Sequence, residues 1–313
     1  MTLAIDLSQV TKEYPGILAL DKVDLKVKKG SIHGFIGPNG AGKSTTMNII
    51  SGLIPPTSGE VKVQGLDCLR EYQKVRGLIG LLPENPPLYQ NMQVEEYLTF
   101  CQKINMPYES TKTERNSLKQ EIIERCGLHE VTKRLIGNLS KGFRQRVAMA
   151  QALCSDPEIV ILDEPTVGLD PNAIHDVREL ILELKEKYTI LLSTHQLHEV
   201  GRICDEVTII NDGKILRSGT IQEVQSEFSA FQTYEALVAS MNDGLRKDLL
   251  SKSFIEGMDI LHENEGELLR IRVSSGGEDH RSQLTKLISH QAELLEFRSK
   301  KMELEDIFRE VVK

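Results

Sequence analysis

Eight residues constrain this chain more than any others. Gly37-Pro38-Asn39-Gly40-Ala41-Gly42-Lys43-Ser44 follow the stretch SIHGFI and precede TTMNIISGL, whose apolar residues recur at helical spacing. The run matches G-x-x-x-x-G-K-[ST] between a strand and a helix, the context in which that pattern binds phosphate. Small residues let consecutive backbone N–H groups converge on phosphate oxygens, and the helix N-terminus adds partial positive charge. Gly37, Asn39, Gly40 and Gly42 are therefore expected to shape a cradle that Thr45 extends. Lys43 is expected to reach the β- and γ-phosphates, and Ser44 to ligate Mg²⁺.

Ile159-Val160-Ile161-Leu162-Asp163-Glu164 supplies the complementary half. Here an apolar strand delivers two carboxylates at its C-terminal end, where ligands gather in parallel α/β sheets. Asp163 is placed to hold Mg²⁺ and Glu164 to act as general base towards an attacking water. ATP and Mg²⁺ are the ligands this pairing calls for.

The rest of the chain falls into three textures. Residues 3–10 and 23–27 alternate apolar and polar and read as antiparallel strands, with another at GEVKVQ. From about 94 to 152 the signal is helical, with Leu118, Ile122, Ile123 and Cys126 on one face. Apolar strands alternating with helices then return (EIVILDEP, TILLSTH, DEVTIIN), as suits a parallel sheet covered on both faces. Residues 1–220 thus read as an α/β core with a helical insert at about 85–157. Residues 221–313 read as strand, helix, strand, a turn at 264–266, strand, helix, strand and a final helix. That order fits a small α+β appendage of the split-βαβ kind.

Leu139-Ser140-Lys141-Gly142-Phe143-Arg144-Gln145-Arg146 resembles the signature of the ATP-binding cassette (ABC) nucleotide-binding domain, usually LSGGQ and a basic residue. The resemblance covers residues 1–220 and implies the P-loop NTPase core of the ABC ATPase type. It implies that Ser140 and Gly142 touch the γ-phosphate of ATP held by a second copy, in a homodimer that sandwiches nucleotide. Ser140 can also serve simply as a helix N-cap. Tyr14 resembles the aromatic that stacks on adenine, Gly168-Leu169-Asp170 the loop that crosses the dimer interface, and His195 the histidine that senses the γ-phosphate. Two departures stand out. Glu84 occupies the place of the family's glutamine, where its carboxylate could ligate Mg²⁺ or orient water. Lys141 and Phe143 replace a glycine and a glutamine in the signature. With Pro87-Leu88-Tyr89 and the terminal Leu304-Glu305-Asp306-Ile307-Phe308, these features resemble the ABC-2-type exporter branch.

That family implies a membrane permease, and the sequence implies that it is another chain. No apolar run approaches the roughly 20 residues needed to span a bilayer, and the first residues lack the pattern of a signal peptide. The expectation is a cytoplasmic protein, peripheral on the cell membrane. Five scattered cysteines without a CxxC pair fit reduced thiols there. The rival reading is a soluble ABC ATPase acting on nucleic acid or the ribosome. Lysine and arginine total 38 against 46 acidic residues, a net charge of -8 that disfavours nucleic acid. The roughly 95 residues between phosphate loop and signature show no heptads of a DNA-repair coiled coil. A non-hydrolysing sensor would lack Lys43, Asp163 or Glu164, and all three are present. For residues 221–313, regulation, dimer support and partner choice are all compatible with the pattern. The last helix, with Leu304, Ile307 and Phe308 at helical spacing, suits either an interface or its own small core.

Overall fold

The computed structural model describes residues 2–106, 110–227, 231–263, 266–274, 280–300 and 307–308. The chain divides into two compact units, Met1–Ile221 and Gln222–Lys313.

The first unit opens with a hairpin of β1 (Leu3–Tyr14) and β2 (Ile17–Lys28). Tyr14 pairs with Ile17 across Pro15-Gly16, and Gly16 takes a φ of 80° that a side chain would resist. Both strands run well beyond the stretches expected from alternation. Register shifts between Leu7 and Val10 and between Val10 and Lys12 break the period of two, with Gln9 and Lys22 at positive φ. A bulged strand stays paired although its apolar pattern slips.

The chain then enters β3 (Ile32–Ile36), the glycine-rich loop and α1 (Lys43–Ile50). It returns through β4 (Ser58–Val63) and β5 (Leu66–Asp67), which complete an antiparallel sheet of order β2-β1-β4-β5. Two elements that the sequence pattern does not announce follow, α2 (Tyr72–Leu78) and β6 (Ile79–Leu82). Val75 is the one buried residue of α2, so it carries no apolar stripe, and β6 is only four residues long.

Three helices make the insert: α3 (Val94–Asn105), α4 (Lys112–Arg125) and α5 (Lys141–Leu153). Capping boxes Gln93/Glu96 and Thr111/Glu114 start the first two, each satisfying backbone N–H groups that the helix leaves unbonded. Leu118, Ile122, Ile123 and Cys126 form one buried face, against Tyr97, Leu98 and Cys101 of α3 and Val147 and Ala150 of α5.

The remainder of the unit is β7 (Ile159–Asp163), α6 (Pro171–Leu184), β8 (Thr189–Thr194), α7 (Leu197–Ile203), β9 (Glu206–Asn211) and β10 (Lys214–Thr220), and α8 (Ile221–Glu227) starts at its last residue and continues into the second unit. The six-stranded sheet has the order β10-β9-β3-β8-β7-β6, parallel except for the edge strand β10. Every residue of β3, β7 and β8 is buried, as a sheet covered on both faces requires. Their C-terminal ends converge beside the N-terminus of α1.

The second unit runs β11 (Phe231–Val238), α9 (Asp243–Leu250), β12 (Ile255–Glu263), β13 (Gly266–Ser274), α10 (Arg281–Gln291) and β14 (Leu294–Lys300). Its antiparallel sheet has the order β12-β13-β11-β14, the split-βαβ arrangement read from the sequence. Tyr234, Leu269, Ile271, Leu245, Leu249, Leu284 and Ile288 close a core between sheet and helices. Glu235, on the opposite face of β11, is buried and accepts two hydrogen bonds each from Arg270 (3.1 and 3.0 Å) and Arg298 (2.9 and 2.8 Å). Of the turn expected at 264–266, only Gly266 is described. Of the expected last helix, Ile307 and Phe308 are described and helical, with Ile307 buried, and the remainder lies outside the described residues.

One polar cluster ties the edge of the parallel sheet to its centre. His33 of β3 lies opposite Glu206 of β9 in the register, buried, with Nδ1 3.7 Å from the carboxylate. Its Nε2 meets the Thr208 hydroxyl at 2.8 Å, which meets Ser218 at 2.7 Å, while the Lys28 ammonium binds Glu206 directly. The His33 ring and the Lys28 ammonium hold the Glu206 carboxyl down at about 2, against the effect of burial. A carboxyl whose folded value lies below its unfolded one adds stability above the unfolded value, lost as pH falls towards the folded one. Between pH 4.5 and 2, Glu206→Gln should therefore lose less melting temperature than the parent chain, while lying below it at pH 7. Thermal melts across that range check the difference.

Candidate nucleotide site

The site begins at the end of β3, where the chain turns into α1. Gly42 caps the helix at φ 107°, and a Cβ there would lie 2.6 Å from Leu20 and 2.9 Å from the Ala19 carbonyl. No side chain caps α1, so its first backbone N–H groups point outwards for an anion to take. Lys43 is 6% exposed, and its ammonium donates to the carbonyls of Gly37 (2.7 Å) and Pro38 (3.3 Å). Asn39, Gly40, Gly42, Lys43, Ser44 and Thr45 line a cleft of about 620 Å³, with Glu84, Glu164 and His195 on its other walls.

The two carboxylates come from the end of β7. Asp163 and Glu164 are each 7% exposed. Asp163 Oδ1 accepts the Ser193 hydroxyl of β8. Glu164 sits at φ 50°, a backbone conformation costing on the order of 1–3 kcal/mol outside glycine. Its N–H is held there by the Ser193 hydroxyl (2.9 Å) and the Ser193 carbonyl (3.2 Å). The turn aims the side chain into the cleft. Glu164 Oε2 meets His195 Nδ1 at 2.9 Å, and Oε1, which accepts no hydrogen bond, faces the Lys43 ammonium at 3.5 Å. Glu84, two residues past β6, is exposed at the cleft wall.

Five expected site residues do not line the cleft: Gly37 and Asp163, which border it, and Tyr14, Ser140 and Gly142. Tyr14 ends β1, 40% exposed, with the Lys12 ammonium 5.1 Å from its ring centroid. It does not line the cleft, whereas Ile17 and Leu18 beyond the hairpin turn do. Ser140 and Gly142 also lie outside the cleft, at the start of α5. Ser140 is the N-cap, its hydroxyl accepting the Phe143 N–H at 3.3 Å. Lys141 has a definite place: its ammonium lies 2.3 Å from where a Cβ on Gly168 would stand. Gly168 is at φ 66° in the loop that leads from Glu164 to α6, so a side chain there would meet both strain and the ammonium. Ser193, which binds the Asp163 carboxylate and the Glu164 backbone N–H, is the residue that motif reading passes over. The only hint is a hydroxyl that follows the apolar residues Ile190, Leu191 and Leu192.

A glycine-rich cradle on a helix N-terminus, facing paired carboxylates at the ends of parallel strands, is the architecture of a P-loop ATPase. Residues 20–167 match the ABC transporter family. The linearmycin resistance ATP-binding protein LnrL of Bacillus subtilis is 31% identical over 97% of this chain and 96% of its own. The bacitracin transport ATP-binding protein BcrA of Bacillus licheniformis is 39% identical over 69% of each chain. Among solved structures, the dimeric bacterial ABC cassette MJ0796 matches with a TM-score of 0.63 and 30% identity, over 69% of this chain and 98% of its own. The chain belongs to the ATP-binding proteins of ABC transporters, and it is an ATP hydrolase of that family.

Lys43→Ala should weaken ATP binding itself. A charge-assisted contact in such a site contributes about 1.5–3 kcal/mol, so affinity should fall roughly tenfold or more. Titration calorimetry measures this, and unchanged affinity would remove Lys43 from the phosphate site.

Proposed function

We propose that this chain is the ATP-hydrolysing subunit of an exporter, acting as a homodimer on a separately encoded membrane permease at the cytoplasmic face. The observation that carries the reading is Glu164, buried at the end of β7 between His195 and Lys43, with one carboxylate oxygen accepting no hydrogen bond. That oxygen is free to take a proton from water in the cleft. Lys43 and the first N–H groups of α1 hold the β- and γ-phosphates, and His195, hydrogen-bonded to the base, reports on the γ-phosphate. Ser44, Asp163 and Glu84 offer an all-oxygen set suited to Mg²⁺, which when bound neutralises phosphate charge. Ile17 and Leu18 give the adenine ring an apolar wall, with Tyr14 close by in the hairpin.

Ser140 and Gly142 stand outside this chain's own cleft, which supports a second copy as their partner. Residues 1–220 form the ATP-binding domain with a helical subdomain at about 85–157. Residues 221–313 form an accessory domain with its own core. No helix among the described residues is long and apolar enough to cross a membrane, and this reading gives the spanning part to the separate permease. A groove of about 550 Å³ suits its docking segment. Leu53, Tyr72 and Ile104, each about half exposed or more, rim the groove, and Ile79, Gly80 and Leu81 of β6 form its floor. The same strand reaches Glu84 at the nucleotide cleft two residues on, so pressure in the groove is felt at the phosphates. Relatives whose names record bacitracin transport and linearmycin resistance support export as the direction.

Glu164→Gln should bind ATP normally yet lose nearly all hydrolysis, because the donors around the phosphates are kept and the base is gone. Gel filtration with ATP should then show a more persistent dimer. A variant that stays monomeric and active overturns the reading. Leu53→Asp should separate the two partners: co-purification with the permease falls, while ATP affinity of the isolated chain stays as in the parent.

A further inference from the structure

The structure assigns a third residue to the carboxylate end of the site: we propose that Ser193 is the positioning residue that orders both Asp163 and Glu164 for hydrolysis. This rests on the roles proposed above for those two carboxylates.

Ser193 lies on β8, a strand whose six residues are all buried, and it is itself fully inaccessible. Its neighbours Leu191 and Leu192 are apolar, and a hydroxyl in such a place is unfavourable unless its hydrogen bonds are made. Both are. The register pairs Ser193 with Asp163, and the hydroxyl donates to Asp163 Oδ1. The same oxygen accepts the N–H of Glu164 at 2.9 Å, beside the Ser193 carbonyl at 3.2 Å.

Two consequences follow from one hydroxyl. Occupying Oδ1 fixes the Asp163 carboxylate plane and leaves Oδ2 as the oxygen for a ligand. Anchoring the Glu164 N–H keeps that residue at φ 50°, the conformation from which its side chain reaches Lys43 and His195. Residues that hold a metal-binding carboxylate act through orientation, so their loss appears in metal-dependent binding and turnover before stability. A hydroxyl that merely completed the core would show the opposite order.

The test uses the full chain with Ser193→Ala, Ser193→Cys and Ser193→Thr beside Glu164→Gln. Three quantities are read: melting temperature, affinity for ATP with EDTA against affinity with Mg²⁺, and kcat separately from KM. The alanine variant should melt close to the parent and bind metal-free ATP equally well. Its affinity for ATP with Mg²⁺, and its kcat, should each fall about tenfold or more. Cysteine keeps the volume with a weak donor and should share the defect, which covers an alanine variant that fails to fold. Threonine keeps the hydroxyl and should restore most of both. Alanine and cysteine variants with parental Mg²⁺–ATP affinity and kcat overturn the proposal. So does a loss that is equal with and without Mg²⁺ and tracks the melting temperature. Hydrolysis surviving in Glu164→Gln would instead overturn the role of the base, leaving the Mg²⁺-dependent binding of Ser193→Ala to stand or fall on its own.

Discussion

The parallel pairing of β7 with β8, with Asp163 opposite Ser193, is the constraint on which the rest of the site depends. Side chains alternate along a strand, so a slip of one residue would send every one of them to the other face. Here the register is secured by burial: Ile159, Val160, Ile161 and Leu162 face Thr189, Ile190, Leu191 and Leu192, all shielded from water. Hydrophobic burial thus determines where two carboxylates emerge. Hydrogen bonds to Ser193 then determine how they are turned. The sheet contributes position, and its polar end contributes orientation.

The phosphate half of the proposed site reads from the sequence because its chemistry is local. Eight consecutive residues carry the cradle, the helix start and the cation, and the flanking strand and helix announce themselves by apolar spacing. Asp163 and Glu164 were equally plain, standing at the end of four apolar residues. What escaped was whatever depends on residues far apart in sequence. Ser193 gains its meaning only from a strand 30 residues away, and a single serine carries no period. The four-residue β6 follows a helix with one buried residue, so neither presented a pattern. The long hairpin reads shorter in the sequence than it is, because bulges disturb alternation without ending the pairing. Residue type and order point to Tyr14, whereas the lining of the cleft depends on how tightly the Pro15-Gly16 turn brings Ile17 and Leu18 back.

Charge is handled differently in the two units. In the first, the buried Lys43 and Glu164 face each other at the cleft and the exposed His195 bonds Glu164, contacts that a ligand can redistribute. In the second, Glu235 accepts four hydrogen bonds from two guanidinium groups, a fully engaged cluster. A buried carboxylate satisfied so completely has no spare capacity for exchange. Breaking it by removing one partner is expensive, so such a cluster serves to specify how β13 and β14 lie against β11.

Lys141 has a wider consequence. Its ammonium rests on Gly168, in the loop that starts at Glu164, while its neighbours Ser140 and Gly142 are the groups proposed to face the nucleotide of the second copy. In that dimer, each chain would feel its partner's ATP at one end of α5 and pass the displacement to its own base through a single side chain. The two catalytic centres would then be wired in series. Occupancy of one would alter the readiness of the other, and turnover would rise more steeply than linearly with ATP concentration. A family signature with glycine in place of Lys141 has no side chain with which to make that connection.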